Sequence, residues 1–226
     1  MRLTPRPWAP RPGGGCAGGA ELAADPAAAP LVLAIDRADP AVRRALPELP
    51  PLLSVAERTR MESHRRPEDR ERFLLGRAGL RLGLAAVLAR DPRSLTFAAG
   101  PHGKPFLEGG AGAPDPAAPQ FNLSHAGDLI LLALHRWRAV GVDVERERPG
   151  LDWRPIARRC LSPPTRRRLE ALAAEAQGAA FLQAWCELEA ILKAAGTGLG
   201  GEPPTQPATL WVLALPGGYR GAAALL

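Results

Sequence analysis

The segment LILLAL at 129–134, followed after HRWR by AVGVDVE at 139–145, constrains the fold of this chain more than any other feature. An apolar run of this length between turn-forming neighbours suits a buried strand, and two such segments separated by a short polar link read as a hairpin. The run is far too short for a membrane helix, which needs about 20 apolar residues. With 46% hydrophobic residues in 226, the chain has material for a packed core, either one compact domain or two small ones sharing an interface.

Around the hairpin, LVLAIDR (31–37) reads as a strand, and helical periodicity covers 52–64 and 67–90. In the second helix Phe73, Leu74, Gly76, Leu80, Leu84, Val87 and Leu88 form an apolar stripe. SLTFAAG (94–100) reads as a strand and 109–119 as a flexible loop. Helices are expected at 163–177 and 178–195, and LWVLAL and YRGAAALL form a closing strand pair. Strands and helices neither alternate strictly nor segregate, which points to α+β and away from a doubly wound sheet. The order strand, long helix, strand pair occurs twice. The expected organisation is a disordered Gly/Ala/Pro-rich tail (1–29), an N-terminal half (30–137) and a C-terminal half (138–226). The N-terminal arginines lack a following apolar stretch, so no secretory signal is expected. Cys16, Cys160 and Cys186 are odd in number and lack metal-ligand spacing, which fits a reducing cytoplasm.

The formal net charge of +6 suits a nucleic acid, an acidic protein or a phosphorylated small molecule. Nearly every cation is arginine; Lys104 and Lys193 are the only lysines and Asn122 the only asparagine. A lysine in such a background suits a compact point charge on a phosphate, chance survival being the other reading. Asp143 and Glu145 lie two apart on a strand, so both carboxylates share one face, as magnesium ligands would; an acidic turn at a strand end is the plainer explanation. Trp185, Glu189 and Lys193 recur every fourth residue and form one helical stripe. Glu189 could complete a three-carboxylate site or take a proton, and Lys193 could neutralise phosphate charge, although Glu and Lys four apart also simply stabilise a helix. In FNLSHAGD (121–128), Ser124 and His125 lie at a loop or strand edge and can donate to phosphate oxygens, or Asn122 and Ser124 can bond their own backbone in a turn. Lys104 sits in a glycine-proline turn, and Arg60 and Arg72 belong to a dense basic stretch upstream.

The order GKP, FNLSH, GVDVE and W-x-x-x-E-A-x-x-K-x-x-G-x-G-L closely resembles the 4'-phosphopantetheinyl transferases of the surfactin-synthetase type, over about residues 52–199. The resemblance implies two similar α+β halves in one chain, a pseudo-twofold intramolecular dimer with coenzyme A and Mg2+ (or Mn2+) in the cleft between them. It places Asp143, Glu145 and Glu189 on the metal-binding acids, and Glu189 also on the proposed general base. Ser124, His125 and Lys193 fall on contacts to the coenzyme A phosphates. Lys104 falls on the lysine of the GKP turn, Arg72 on an arginine holding the 3'-phosphate, and Arg60 on another basic contact. The implied reaction moves the 4'-phosphopantetheine arm of coenzyme A to a serine of an apo acyl or peptidyl carrier protein, releasing 3',5'-ADP. A cytoplasmic monomer is expected, with an acidic carrier as partner and neither nucleic acid nor membrane. The rival readings are a non-catalytic relative that binds coenzyme A or a carrier, and a metal-dependent nuclease. Two departures stand out: Leu188 replaces the family lysine before Glu189, and the stretch 200–209 is short.

Overall fold

The computed structural model describes residues 1–9, 21–198 and 204–226. In chain order the strands are β1 (Arg2–Leu3), β2 (Arg6–Pro7), β3 (Leu31–Asp36), β4 (Phe97–Ala99), β5 (Pro105–Gly110), β6 (Ala113–Pro114), β7 (Gln120–Ala126), β8 (Leu129–His135), β9 (Val140–Arg146), β10 (Thr209–Leu213) and β11 (Tyr219–Leu225). The helices are α1 (Pro40–Ala45), α2 (Val55–Glu62), α3 (Pro67–Leu88), α4 (Arg154–Cys160), α5 (Pro163–Glu170) and α6 (Ala174–Ala195).

Every residue of β8 is buried, so the strand is covered on both faces. Its alternating side chains divide between two cores, as the period of a strand requires. Ile130, Leu132 and Leu134 join α3 residues such as Leu75, Leu80 and Leu84. Leu129, Leu131 and Ala133 meet Val140, Val142 and Val144 of β9 and Ala223 and Leu225 of β11. The pleat of the second sheet repeats the division, since Ala222 and Ala224 turn the other way, onto Cys186, Ala190 and Ala194 of α6. The layers are therefore α3, a sheet in the order β2-β3-β8-β7, a sheet in the order β1-β10-β11-β9, and α6.

The chain traces one path twice. β3 leads through helices to α3 and then to the β7–β8 hairpin, whose second strand pairs antiparallel with β3. β9 leads through helices to α6 and then to the β10–β11 hairpin, whose second strand pairs antiparallel with β9. The long helices α3 and α6 are both 22 residues. These are the two similar α+β halves expected from the sequence.

Several expectations need correction. Residues 1–9 are not a loose tail: β1 pairs with β10 and β2 with β3, so this segment straps one sheet to the other. Trp8 and Leu22 are buried in the core under α3, and their burial outweighs the local Gly/Pro composition. The central part of the expected tail, 10–20, lies outside the described residues. The expected loop at 109–119 holds the end of β5, a tight turn with Gly110 and Gly112 at positive φ, and β6. FNLSHA lies within β7, an edge strand of its sheet, so of the loop, strand-edge and turn readings the strand edge is the one found. The break between the last two helices falls at 171–173, earlier than expected, and α1 and α4 were not anticipated.

Helix α2 buries no residue of its own and is held by charge. Ser54 and Glu57 form its capping box, and Glu57 also pairs at 2.7 Å with the buried Arg81 of α3. Arg81 donates onward to the carbonyls of Pro92 and Leu95. One buried guanidinium thus fastens α2 and the base of β4 to α3.

Helix α6 rides unusually close to β9. A Cβ built on Gly141 would run into the backbone of Ala190 and Ala194. Neither neighbour is a flexible side chain, so a side chain there forces the helix off the sheet. Gly141→Ala is expected to destabilise the fold by about 3 kcal/mol or more, read from urea unfolding. A loss of under about 1 kcal/mol would show that α6 does not depend on this contact.

Candidate active site

The two sheets meet edge to edge at β7 and β9, which share no backbone ladder. On β7, Phe121 and Leu123 turn toward α3, leaving Asn122 and Ser124 on the opposite face, toward β9. Asn122 Oδ1 accepts from the Val142 N–H at 3.0 Å, and Ser124 Oγ accepts from the Val144 N–H at 3.4 Å. Between those two amides lies Asp143, on the face of β9 that carries α6.

Asp143 is 4% exposed. Its Oδ1 accepts from Ser124 Oγ at 2.9 Å and from Lys193 Nζ at 2.5 Å. Lys193 Nζ also donates to Ser124 Oγ at 3.2 Å and stands 4.0 Å from Glu189 Oε2, one helical turn back. Ser124 therefore donates once and accepts twice, the full capacity of a hydroxyl. Asp143 Oδ2 is buried with no hydrogen-bond partner among the described residues. Cys186 is fully buried on the adjacent turn of α6, its thiol pushed well up by burial and by the Asp143 charge.

Glu145 and Glu189 both titrate above the ordinary carboxylate value. For Glu145 burial is the main cause and Asp143 the next; for Glu189 burial again dominates, with Lys193 opposing it. Arg148 is a weak partner to Glu145 at 3.7 Å on the surface. The three acids named from the sequence thus share one neighbourhood. Among the described residues, no three of His, Cys, Asp or Glu form a ready metal-ligand set, and the Lys193 ammonium stands between Asp143 and Glu189. In chemistry the acids fit a hard cation: carboxylate oxygens on one strand face and one helix, with an orphaned, buried Oδ2 on Asp143.

Two adjacent cavities flank this centre and share Pro105, Asn122 and Leu123. The larger, about 280 Å³, is lined by Arg72, Arg77, His64, Phe73 and His125 among others. Arg72 donates to the Gly127 carbonyl at 3.1 Å and pairs with Asp69. His125 is held below its ordinary value, first by dehydration and then by Arg72 and Lys193. The smaller cavity, about 220 Å³, is bordered by Lys104, His102, Glu189 and Lys193. Lys104 does not offer a free ammonium there: Nζ donates to Ala194 O at 2.8 Å and Val140 O at 3.2 Å. Burial pushes it down to about 8. It ties the GKP turn of one half to the end of α6 and the start of β9. Arg60 is exposed on α2 and borders neither cavity, so the structure does not bring it to the others. Leu188 packs on the cluster of Trp153, Phe181 and Trp185, which accounts for an apolar residue at that position.

His64, Arg77 and His102 were not selected from the sequence as site residues, because nothing in their local spacing marks them. Asn122 was noticed for its rarity and its place in a motif, with a turn as the alternative, but was given no role of its own.

Comparison with known proteins bears on this site. Residues 43–136 match a family model described as 4'-phosphopantetheinyl transferase, N-terminal. Residues 139–211 match the model of the 4'-phosphopantetheinyl transferase superfamily. The division falls between β8 and β9. A relative from Synechocystis sp. is 36% identical over 162 residues, covering 72% of this chain and 64% of its own length. The 4'-phosphopantetheinyl transferase HetI of Nostoc sp. is 35% identical over 177 residues, 73% of this chain and 71% of that protein. A 4'-phosphopantetheinyl transferase of Bacillus subtilis is 31% identical over 150 residues, with 65% and 62% covered. The chain therefore spans about two thirds of the length of these relatives.

The raised Glu145 has a consequence for stability. Between its ordinary and raised values the folded state binds more protons than the unfolded, so its contribution to stability falls as pH rises through that window. Glu145→Gln removes the half-buried charge. The variant is expected to melt above the wild type at pH 7, with the gain vanishing below the ordinary carboxylate range. An equal or lower midpoint at pH 7 contradicts a dehydrated, acid-repelled Glu145.

Proposed function

The chain belongs to the 4'-phosphopantetheinyl transferase superfamily, and we propose that it transfers the phosphopantetheine arm of coenzyme A to a serine of an apo acyl or peptidyl carrier protein. The observation that carries this reading is the junction of the two halves. There Asp143 and Glu145 of one strand, Glu189 and Lys193 of α6, and Ser124 of β7 come together beside two cavities rich in cations.

In the proposed reaction the carrier serine oxygen attacks the pantetheine-side phosphorus of coenzyme A. The bond from that phosphorus to the bridging oxygen breaks, and 3',5'-ADP leaves. Glu189 takes the serine proton, directly or through water. Lys193, already poised on Asp143, has the reach to turn to a phosphate oxygen as charge builds there. Arg72 and His125 border the larger cavity and would hold phosphate at the nucleotide end, with Lys104 bracing the wall of the smaller one. Asp143, Glu145 and Glu189 would hold Mg2+ (Mn2+ serving as well), and such an ion supplies charge neutralisation on the diphosphate. Arg60 would act only on a ligand that extends to the exposed face of α2.

The partner would be an acidic carrier. Arg154, Arg158 and Arg159 on α4 and Arg167 and Arg168 on α5 are exposed, and the chain carries +6 overall. Such a surface raises the encounter rate with an acidic partner, and salt weakens the effect. No helix of the described residues is long and apolar enough to cross a membrane; we place the protein in the cytoplasm, where coenzyme A and carriers meet. Both halves that build the site lie in one chain, so a monomer suffices. The order of motifs favours the surfactin-synthetase type within the superfamily.

The test is intact mass spectrometry of an apo carrier incubated with the protein, coenzyme A and Mg2+. One phosphopantetheine arm should be added to the carrier, and Asp143→Ala or Glu189→Ala should slow this by about a hundredfold or more. No mass gain on any of a panel of acyl and peptidyl carriers would sink the reading. Near-wild-type rates in both variants would sink the assignment of the acids.

A further inference from the structure

Asn122 is the only asparagine of the chain, and it lies 6% exposed in the middle of β7. A turn-forming role is excluded by that position. Its Oδ1 takes the Val142 N–H at 3.0 Å in a buried contact. Two residues on, Ser124 Oγ takes the Val144 N–H at 3.4 Å.

The pairing follows from strand geometry. In an antiparallel pair, alternate residues of a strand direct N–H and C=O to the same neighbour. Residues flanking β9 with odd numbers serve the β11 side: Ala139 O accepts from Leu226 N–H at 3.0 Å, and Glu147 N–H donates to Gly218 O at 2.8 Å. The N–H groups of Val142 and Val144 therefore face outward from the edge of their sheet, toward β7. Asn122 and Ser124 are spaced to match them, and the two grips bracket Asp143. A one-residue slip of β9 would send the carboxylate to the other face of the sheet.

We propose that Asn122 is a positioning residue. It clamps β9 immediately before Asp143, so that the carboxylate stays opposite the Ser124 hydroxyl and the Lys193 ammonium. The inference rests on the transferase reading of the site and deepens it; Asn122 acts through Asp143, its Oδ1 being taken up by the Val142 N–H. An amide suits the position for two reasons. It carries an acceptor far enough from the backbone to reach the neighbouring strand, and it adds no charge beside Asp143, Glu145 and Glu189. An apolar residue would leave a buried N–H without an acceptor.

The test compares wild type, Asn122→Ala and Asn122→Asp by amide hydrogen exchange and by transfer kinetics. In wild type the Val142 amide should be protected. In N122A its exchange should accelerate by about tenfold or more while amides bonded within the β9–β11 ladder stay protected. The kcat for transfer should fall by about ten- to hundredfold with the KM for coenzyme A little changed. N122D keeps an acceptor at the same reach and should restore Val142 protection and raise kcat above that of N122A. A purely structural role would lower the melting midpoint without splitting kcat from KM. Should N122A fail to fold, Asn122→Ser carries the same comparison, its shorter side chain stopping short of Val142. A freely exchanging Val142 amide in wild type overturns the clamp, and wild-type kcat in a variant that has lost the protection overturns the positioning role. A wild-type chain that transfers nothing sinks the transferase reading, and the exchange measurement then judges the clamp by itself.

Discussion

Two bare strand edges, β7 and β9, lie side by side without pairing, and side chains complete the hydrogen bonds that a ladder would have made. Direct pairing would have fused the halves into one continuous sheet. Asn122 and Ser124 instead take the Val142 and Val144 amides. Each such amide would otherwise be buried and unsatisfied, at a cost of about 1–3 kcal/mol. The seam has room for side chains because no backbone closes it, and those side chains are polar because the strand edge demands acceptors. Ser124, Asp143 and Lys193 form a connected group for that reason. The opposite edges of the two sheets are closed by the N-terminal strap through β1 and β2, so neither sheet is left with a long open edge.

Small residues decide how close the long helices come. Gly141, Ala222 and Ala224 on the second sheet let α6 press Ala190 and Ala194 nearly onto its backbone. That approach sets Glu189 and Lys193 beside Asp143. In the first half, Gly76 and Gly79 of α3 play the corresponding part against Leu123 and Ile35. The halves share a path but divide the chemistry. The first contributes α3 with Arg72 and Arg77 and the wall of the larger cavity, and the second contributes all three acids. A site assembled this way needs both halves in one register, which Lys104 also enforces by reaching from its turn to Ala194 and Val140.

The acid group is held against its own electrostatics. Among the described residues, Asp143 and Glu189 share one ammonium, Glu145 has only a surface arginine, and one Asp143 oxygen has no hydrogen-bond partner. A fold selected for stability alone would replace such a cluster by apolar packing of the same volume. Its retention beside cavities rich in cations is the arrangement expected of phosphoryl-group chemistry, where carboxylates, a lysine and a hydroxyl must converge before charge develops.

Much of this was legible in the sequence. The apolar runs of LVLAID and LILLAL and the alternation in VGVDVE marked β3, β8 and the edge strand β9, because a period of two leaves little freedom over which face is buried. The four-residue spacing of Trp185, Glu189 and Lys193 put the last two on one helix face, and the doubled order of elements foretold two similar halves. Tertiary structure alone decided the rest. Local composition cannot reveal that a Gly/Pro-rich start is strapped across both sheets, since the burial of Trp8 and Leu22 comes from distant partners. Nor can spacing tell that Lys104 bonds carbonyls 36 and 90 residues away, or that Arg60 borders neither cavity. Asn122 allowed a turn reading because its short amide can bond its own backbone; only the approach of a strand from the other half gave its oxygen an amide to hold.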